Sequence, residues 1–381
     1  MRINNVQNKI HTVLILYNDL GIGGIQRKIA DIAYCLSTKK KYANIRVYLI
    51  LDHKRAFDLE EDIFLNQVRQ SKIEIFYRPQ QKIWRIKFPL IVYVCWKILV
   101  FKPSAILSFM EKYSVIAIFM KYIFWWEKIK VIVSYDNIAS LLIPIEKDSN
   151  FDGLIRKKLI RNFYPRADLV VVPSNKSKLD MNKNFGVPRK KITVNKNWVL
   201  SYGWKKGKNY RFDIIYTGRV DPVKNLSSFI NVVKKVKGVY PAVKACIVGW
   251  GEEIDRISNL IHSKSLELSI ELAGSQKNIS KYLYDSKIFL LTSDFEGLPI
   301  APLEAMAYGL PVVTRDYPGA EELVKNGKTG YIGGSEEILA GHLLELLADE
   351  EKRQKMGARA REYVQKFHGE KNLEKFVSLL V

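Results

Sequence analysis

The chain has 381 residues, 48% of them apolar, and this length favours two domains, each with its own packed core. Its three cysteines (Cys35, Cys95 and Cys246) and five histidines are scattered without paired or metal-like spacing. This distribution argues against a disulfide framework and against a zinc or His-based metal centre.

The formal net charge of +22 is concentrated in the first half of the chain. Residues 1–200 hold 35 basic and 16 acidic side chains, whereas residues 201–381 hold 26 and 23. This asymmetry indicates an anionic partner for one domain only, either nucleic acid or an acidic lipid surface.

In chain order, the first half alternates short aliphatic runs with longer helical stretches. The strand HTVLILYN precedes a glycine turn, which contains Gly21, Gly23 and Gly24, and the helical segment IQRKIADIAYCLSTKK. Further strands are predicted at NIRVYLILD, IEIFYR, SAILSFM, KVIVSY and ADLVVVPS. Such continuous apolar runs are typical of parallel strands buried on both faces. Their connection through helices predicts a doubly wound α/β sheet.

Two segments of this half, KIWRIKFPLIVYVCWKILVFK and YSVIAIFMKYIFWWEKIK, interleave aromatic and aliphatic residues with cations. Lys97 and Lys121 interrupt the apolar runs before the ~20 residues that a spanning helix needs. Cations that snorkel beside aromatic rings favour a protein lying on a bilayer. The alternative is two core helices with ordinary surface lysines. Because the N-terminus MRINNVQNKI is too polar for a signal peptide, we expect a cytoplasmic protein, peripheral on the inner face of the cell membrane.

The stretch NWVLSYGWKKGKNYR (197–211) is predicted to be a linker, and a second alternating series follows it. Its strands are predicted at FDIIYTG, VKACIVGWG, SIELAGS, KIFLLTS and LPVVTR. This series predicts a second Rossmann-like unit, so the cleft between the two units is the expected site. The tail GARAREYVQKFHGEKNLEKFVSLLV is predicted to be helical.

The segment YTGRVDPVKNLSSFI places Arg219 and Lys224 on a loop beyond the carboxyl end of a strand. Open α/β sheets bind ligands at such loops. A guanidinium and an ammonium converging there suit a diphosphate. Taken alone, an arginine–lysine pair on a loop is more often a solvated surface.

The segment SDFEGLPIAPLEAMAYGLPVV places Glu296 at the end of a strand and Glu304 in the first turns of a helix. The start of that helix is indicated by Pro302 and its end by Gly309. The intervening backbone N–H groups and the helix N-terminus form an anion site suited to phosphate. Two flanking carboxylates can accept hydrogen bonds from hydroxyls on either side. The alternative is that both glutamates only favour the helix N-terminus.

Together, Gly218-Arg219…Lys224-Asn225 and Glu296-x7-Glu304 resemble the donor site of the large retaining glycosyltransferase family 4. VGWGEE, LAGSQKNISKYL and NGKTGYI follow the family's order. The resemblance covers essentially the whole chain and implies an α/β fold of two facing Rossmann-like (GT-B) domains, with the active site in the interdomain cleft. It assigns acceptor binding to 1–200, the basic half whose composition already indicates membrane association, and nucleotide-sugar binding to 201–365. A C-terminal helix at 366–381 would pack back on the N-terminal domain.

The resemblance also implies individual roles in the donor site. Arg219 and Lys224 would hold the diphosphate, Glu296 would bind hydroxyls of the donor sugar, and Glu304 would bind those of the ribose. Backbone near Ser275 and Gln276 would read the base, for which uracil is expected. The remaining donor-site positions are Gly21, Gly23, Gly24, Gly218, Gly297, Leu298, Pro299 and Ile300.

On the acceptor side, ILSFMEKYSVIAIF and VIVSYDNIAS resemble segments of members that build lipid-linked or surface glycans. Many relatives have a Ser-Glu-Arg or Ser-Glu-His motif where this chain reads Ser134-Tyr135-Asp136-Asn137. None of the five histidines lies in either segment, which puts a histidine-assisted step in doubt. Glu111, Asp136 and Asn137 are the candidate polar groups there, with a structural role as the alternative for each carboxylate.

The sequence therefore predicts a retaining hexosyl- or N-acetylhexosaminyl-type glycosyltransferase. It would use a nucleotide-diphosphate sugar, with UDP expected, and a glycan acceptor linked to polyprenyl diphosphate, in cell-surface polysaccharide synthesis. No cofactor or metal is expected because no Asp-x-Asp pair is present. A basic nucleic-acid-binding protein is an alternative, disfavoured because the N-terminal half lacks a recognisable binding module. A nucleotide-sugar epimerase or hydrolase of the same architecture, and a catalytically silent subunit, are the others.

Overall fold

The computed structural model describes residues 11–19, 23–53, 73–79, 82–83, 86–87, 89–142, 150–200 and 210–381. The described part of the first half contains a seven-stranded, wholly parallel sheet in the order β3-β2-β1-β6-β7-β8-β9. Its strands are β1 His11–Tyr17, β2 Ile45–Leu51, β3 Ile73–Tyr77, β6 Ala105–Phe109, β7 Lys130–Ser134, β8 Leu169–Val172 and β9 Ile192–Val194. A short antiparallel pair, β4 Lys82–Ile83 and β5 Ile86–Lys87, stands apart from this sheet.

Helices cover both faces of this sheet. They are α1 Gly24–Thr38, α2 Leu90–Phe101, α3 Glu111–Ile123, α4 Ala139–Leu142, α5 Asn150–Phe163 and α6 Asn175–Phe185. Buried residues of α2 and α3 form one apolar layer with the sheet, and buried residues of α1 form a second layer on its other face. The central strands consequently have almost no exposed side chain, as the continuous apolar runs predicted.

The second half contains a six-stranded parallel sheet in the order β12-β11-β10-β13-β14-β15. Its strands are β10 Phe212–Thr217, β11 Ala245–Val248, β12 Ile270–Gly274, β13 Ser286–Leu291, β14 Val312–Arg315 and β15 Gly330–Gly333. Its helices are α7 Leu226–Val239, α8 Ile254–Ser263, α9 Ile279–Tyr284, α10 Ile300–Ala307, α11 Ala320–Leu323 and α12 Glu336–Ala348, followed by α13 Glu350–Phe367 and α14 Glu370–Ser378. The chain therefore has two α/β domains with parallel sheets, as predicted.

The C-terminal tail forms two helices that separate at His368 and Gly369. The second, α14, buries Leu373, Phe376 and Val377 in the apolar layer of the N-terminal domain. At its surface, Lys39, which follows α1, has its Nζ 2.8 Å from the Glu370 carboxylate. The chain thus returns to the first domain after completing the second.

The beginning of the predicted linker is not a loose connection. Trp198 and Val199 are buried, and the Trp198 ring lies 5.5 Å from that of Phe376 in α14. This end of the predicted linker has no helix or strand but is packed, because the returning helix covers it. Residues 201–209 of that stretch lie outside the described residues.

Lys97 on α2 does not snorkel, contrary to the expectation from the sequence. Its side chain is buried, with Nζ 3.8 Å from the centroid of the Phe76 ring and 4.4 Å from that of Trp96. Burial lowers the pKa of this lysine. Among the helices in the described part of the chain, none is both long enough and apolar enough to span a bilayer.

Candidate active site

The loop after β10 carries the two predicted phosphate-binding cations in different environments. Lys224 ends a short 3-10 turn, and its Nζ donates a hydrogen bond to Oε1 of Glu296 at 2.6 Å. The Arg219 side chain is 67% exposed and pairs with Asp221 at 3.0 Å. Lys224 is thus fixed within the site, whereas Arg219 stands at its rim.

Glu296 follows β13, at the carboxyl edge of the C-terminal sheet. It is buried, and its Oε1 also accepts a hydrogen bond from the Ser293 hydroxyl at 2.8 Å. Two donors therefore hold this carboxylate in one orientation. Such a carboxylate acts as an acceptor of hydrogen bonds, which suits a ligand that presents hydroxyl groups.

Two neighbouring loops of the C-terminal domain lie in direct backbone contact beside Lys224. Gly249, after β11, has a φ of 150°, and a Cβ on it would lie 1.8 Å from the carbonyl oxygen of Gly218. The Gly249 N–H also donates to the carbonyl of Gly274 at the end of β12. Ser275 and Gln276 follow directly, and Gln276 Nε2 donates to the Ala273 carbonyl at 2.5 Å.

The loop between the two glutamates meets the N-terminal domain. A Cβ on Gly297 would lie 2.3 Å from the carbonyl oxygen of Asp136, so no other residue fits here without displacing backbone. Asn197 Nδ2 donates to the carbonyl of Leu298 at 2.5 Å. Pro299 then precedes the first turn of α10, which begins at Ile300. The carboxyl edges of the two sheets therefore face each other at this loop.

The glycine turn of the N-terminal domain lies against the same loop. A Cβ on Gly24 would lie 3.3 Å from Cδ1 of Ile300, and Gly23 immediately precedes α1. The third predicted glycine, Gly21, lies outside the described residues. The structure thus brings the first loop of one domain to the Glu-x7-Glu loop of the other.

Glu304 on α10 faces α1 across the cleft. Its Oε1 lies 3.7 Å from Nη1 of Arg27, whose Nε lies 3.6 Å from Asp31. Burial raises the pKa of Glu304 to about 7; the Arg27 charge lowers it in part, and the Asp31 charge raises it. Asp31 is itself buried, which raises its pKa to about 6, and it accepts a hydrogen bond from Trp198 Nε1 at 2.9 Å.

The acceptor-side candidates separate into two groups. Asp136 pairs with Lys28, a buried cation on α1, and lies against Gly297 in the cleft. Asn137, beside it, uses its side-chain oxygen to accept from the Ile138 N–H at 2.9 Å.

Glu111, at the start of α3, is held within the N-terminal domain. Its Oε1 accepts from Tyr135 and from Arg156, both at 2.9 Å. These two hydrogen bonds give Glu111 a structural role within the N-terminal domain. Asp136, in contrast, lies directly against the loop that contains Gly297. Among the residues that the structure describes, no group of three or more His, Cys, Asp or Glu side chains is arranged to hold a metal.

Sequence reasoning missed four cleft residues: Arg27, Lys28, Asp31 and Asn197. The first three lie on α1 directly after the glycine turn, with Asp31 four residues after Arg27 and three after Lys28, so that all three share one side of the helix. A polar face on a helix that follows a ligand-binding turn was the available signal. No comparable signal marks Asn197, because its partner Leu298 lies in the other domain.

Two family models match consecutive parts of the chain. The model described as Glycosyltransferase Family 4 matches residues 22–199, and the model described as Glycosyl transferases group 1 matches residues 202–363. Together they cover both domains and every predicted site residue except Gly21.

The chain is also similar to named proteins. It is 27% identical, over 84% of each chain, to N-acetylgalactosamine-N,N'-diacetylbacillosaminyl-diphospho-undecaprenol 4-alpha-N-acetylgalactosaminyltransferase of Campylobacter jejuni. It is 29% identical to poly(ribitol-phosphate) alpha-N-acetylglucosaminyltransferase of Staphylococcus aureus, over 62% of this chain and 50% of that protein. The chain spans about half the length of several of the curated relatives it matches.

Among solved structures, that of Anabaena Alr3699/HepE in complex with UDP and glucose superposes with a TM-score of 0.79. The identity is 19%, and the alignment covers 97% of this chain and 98% of the Anabaena chain. At this identity the likeness concerns the fold.

Proposed function

This chain belongs to glycosyltransferase family 4, and on that premise we propose that it transfers a sugar from a UDP-sugar to a glycan acceptor with retention at the anomeric carbon. The observation that carries the proposal is the Lys224–Glu296 pair at the carboxyl edge of the C-terminal sheet. It places a cation for a phosphate beside a carboxylate for sugar hydroxyls.

In this proposal the donor lies across the loops that follow β10, β12 and β13. Lys224 and Arg219 balance the charge that develops on the departing diphosphate, and the N–H groups at the start of α10 add to this stabilisation. Glu296 orients the sugar and Glu304 the ribose. The base lies at Ser275 and Gln276. None of these residues is required to form a covalent bond to the sugar.

Retention follows from where the acceptor enters. The bond between the anomeric carbon and the diphosphate oxygen breaks, and the bond to the acceptor oxygen forms on the same face. The acceptor's proton passes to the departing phosphate oxygen. This route needs no second carboxylate for a double displacement of the kind that retaining hydrolases use. The C. jejuni and S. aureus relatives are both named as alpha-transferases.

We infer that the acceptor is a polyprenyl-diphosphate-linked glycan of a cell-surface polymer. The C. jejuni relative supports this inference, because its name gives a diphospho-undecaprenol-linked acceptor and the match extends over 84% of both chains. Asp136 and Asn137, which border the Gly297 loop, are the groups that such an acceptor would meet first.

The donor is tested by thermal unfolding with UDP-, GDP- and ADP-sugars. A ligand that binds only the folded state raises the midpoint as its concentration exceeds its Kd. We expect UDP-sugars to raise it most, and no stabilisation by any nucleotide sugar would contradict the proposal. With the sugar identified, the anomeric configuration of the product is read by NMR; an inverted product would overturn retention. A hydrolase would release free sugar, and an epimerase would change the donor without acceptor.

A further inference from the structure

One surface of the N-terminal domain exposes large apolar side chains to an unusual degree. Six of them, each between 52% and 74% exposed, lie on α2, on α3 and in the turn that follows α3: Trp96, Leu99, Val100, Tyr122, Trp125 and Trp126. The two helices are adjacent, since Cys95 Sγ of α2 lies 3.3 Å from Met120 Sδ of α3. We call this surface the apolar face.

The apolar face is not a set of isolated residues. Trp96, Leu99 and Val100 have i, i+3 and i+4 spacing, which places them on one side of α2. Singly exposed apolar residues are ordinary on a protein surface, whereas six such side chains on two adjacent helices and the turn that follows indicate an interaction site. Tryptophan and tyrosine combine an apolar ring with a polar group, a pairing suited to the boundary between lipid and water.

Cations border the apolar face, and one exposed carboxylate, Glu127, directly follows Trp126. Lys102 ends α2 and Lys128 follows the tryptophan turn, and both are exposed. The neighbouring α5, which packs against α3, exposes Lys157 and Lys158. Lys97, the cation within the apolar run of α2, is withdrawn among aromatic rings. Cations around an apolar centre complement a bilayer that contains anionic lipid.

The apolar face also has a defined relation to the cleft. Helix α3 begins at Glu111, whose carboxylate accepts from Tyr135, the residue before Asp136. It ends beside Trp125 and Trp126. The tryptophan turn lies about 20 Å along α3 from Glu111, so a bilayer that contacts α3 along its whole length would reach the acceptor side of the cleft.

We propose that the apolar face docks on an anionic lipid bilayer and holds the acceptor side of the cleft next to lipid headgroups. The side chains on α2 and in the tryptophan turn enter the interface, and Lys102, Lys128, Lys157 and Lys158 bind headgroup phosphates. This docking makes a membrane the surface on which the proposed activity takes place. Only the claim that the acceptor arrives from the same bilayer rests on the proposed function.

The test is flotation of the full chain with vesicles of phosphatidylcholine, with or without phosphatidylglycerol. The apolar variant is Trp96→Gln/Leu99→Gln/Trp125→Gln. Its matched control is Val239→Gln/Leu268→Gln, two residues of the C-terminal domain that are 71% and 85% exposed. The charge variant is Lys102→Gln/Lys128→Gln, with Lys281→Gln/Lys328→Gln as its control on the other domain.

We expect wild type and both controls to float with anionic vesicles and much less with phosphatidylcholine alone. The charge variant should bind anionic vesicles roughly 10- to 30-fold more weakly, and the apolar variant at least about tenfold more weakly. Wild-type tryptophan fluorescence should shift to shorter wavelength and be quenched by brominated lipid. Equal flotation of the apolar variant and wild type would overturn the proposal. It would also be overturned if wild type bound no vesicles but self-associated, and the apolar variant did not self-associate.

Thermal stabilisation by a UDP-sugar, measured without lipid on the same variants, separates the two proposals. If a UDP-sugar still stabilises the apolar variant and this variant floats like wild type, only the docking proposal is overturned. Normal vesicle binding without any nucleotide-sugar stabilisation would overturn only the donor assignment.

Discussion

Arg27 and Glu304 face each other across the cleft, with Nη1 of the guanidinium 3.7 Å from Oε1 of the carboxylate. Arg27 lies on the first helix of the N-terminal domain, and Glu304 lies on the helix after the donor loop of the C-terminal domain. The carboxylate assigned to the ribose is therefore already in an electrostatic contact with the opposite domain. Its ionisation depends on groups that a single domain would not supply.

Two substitutions on α1 should shift the pH dependence of donor binding in opposite directions. The pKa of Glu304 is raised by burial to about 7, lowered by Arg27 and raised by Asp31. Only the ionised carboxylate accepts hydrogen bonds from both ribose hydroxyls. Arg27→Ala should therefore raise the pH below which the donor KM increases, and Asp31→Asn should lower it. The measurement is donor KM between about pH 5.5 and about pH 9; shifts in the same direction would contradict this account.

Two other charged pairs lie in the cleft, and these substitutions leave their residues unchanged. Lys28 and Asp136 form a pair on the N-terminal side, and Lys224 and Glu296 form one on the C-terminal side. Asn at position 31 retains an oxygen for the Trp198 N–H, so Asp31→Asn removes the charge and preserves the hydrogen bond.

Gly297→Ala should reduce activity by disturbing the contact between the domains. Its Cβ would lie 2.3 Å from the Asp136 carbonyl oxygen, so the loop has to move away from the N-terminal domain. We expect kcat/KM to fall by roughly 100-fold, since displacement of positioning groups by about 1 Å has effects of that size. Gly341→Ala is the matched control, because a Cβ there meets no atom within 4 Å. Equal activity of the two variants would show that activity does not depend on the close contact between Gly297 and Asp136.

His368 should make folding stability sensitive to mild acid. It is fully buried where the chain returns to the N-terminal domain, and its Nδ1 lies 2.9 Å from the Asn197 carbonyl. Burial lowers its pKa from 6.5 to about 4. The unfolded state therefore binds a proton first, and stability present above pH 6.5 is lost as the pH falls toward 4.

The loss attributable to His368 amounts to about 3 kcal/mol over that interval. His368→Gln, which retains a side-chain donor, should flatten this part of the stability profile in denaturant titrations. His262→Gln, which removes an exposed histidine paired with Glu267, is the control and should change the profile far less. If His368→Gln lost as much stability at acid pH as wild type, the loss would have to come from other groups.

The sequence was informative where local pattern determines structure. Every strand predicted from an apolar run is present, because residues buried on both faces of a sheet must be apolar along their whole length. β9, β15 and the short pair β4–β5 were not predicted. β9 has three residues, and β15 reads GYIG, in which two glycines remove the side chains that the pattern requires.

The part of the candidate site that lies within the C-terminal domain could be predicted from the sequence. Lys224 and Glu296 follow adjacent strands of one sheet, so the topology alone brings their loops together. The contacts of Gly297 with Asp136 and of Arg27 with Glu304 depend on how the two domains are oriented. That orientation follows from the buried Trp198 and the returning helix α14, which no local pattern specifies. The burial of Lys97 also depends on a contact outside its own segment, since its aromatic partner Phe76 lies on β3.

The central claim is that Lys224 and Glu296 form the donor site, and the most direct test is the kcat/KM of Lys224→Ala with a UDP-sugar. Loss of one preorganised cation at a departing diphosphate should lower kcat/KM by roughly 100- to 1,000-fold. Lys328→Ala, which removes an exposed cation of the same domain, should retain wild-type activity. Equal kcat/KM values for Lys224→Ala and wild type would contradict the assignment.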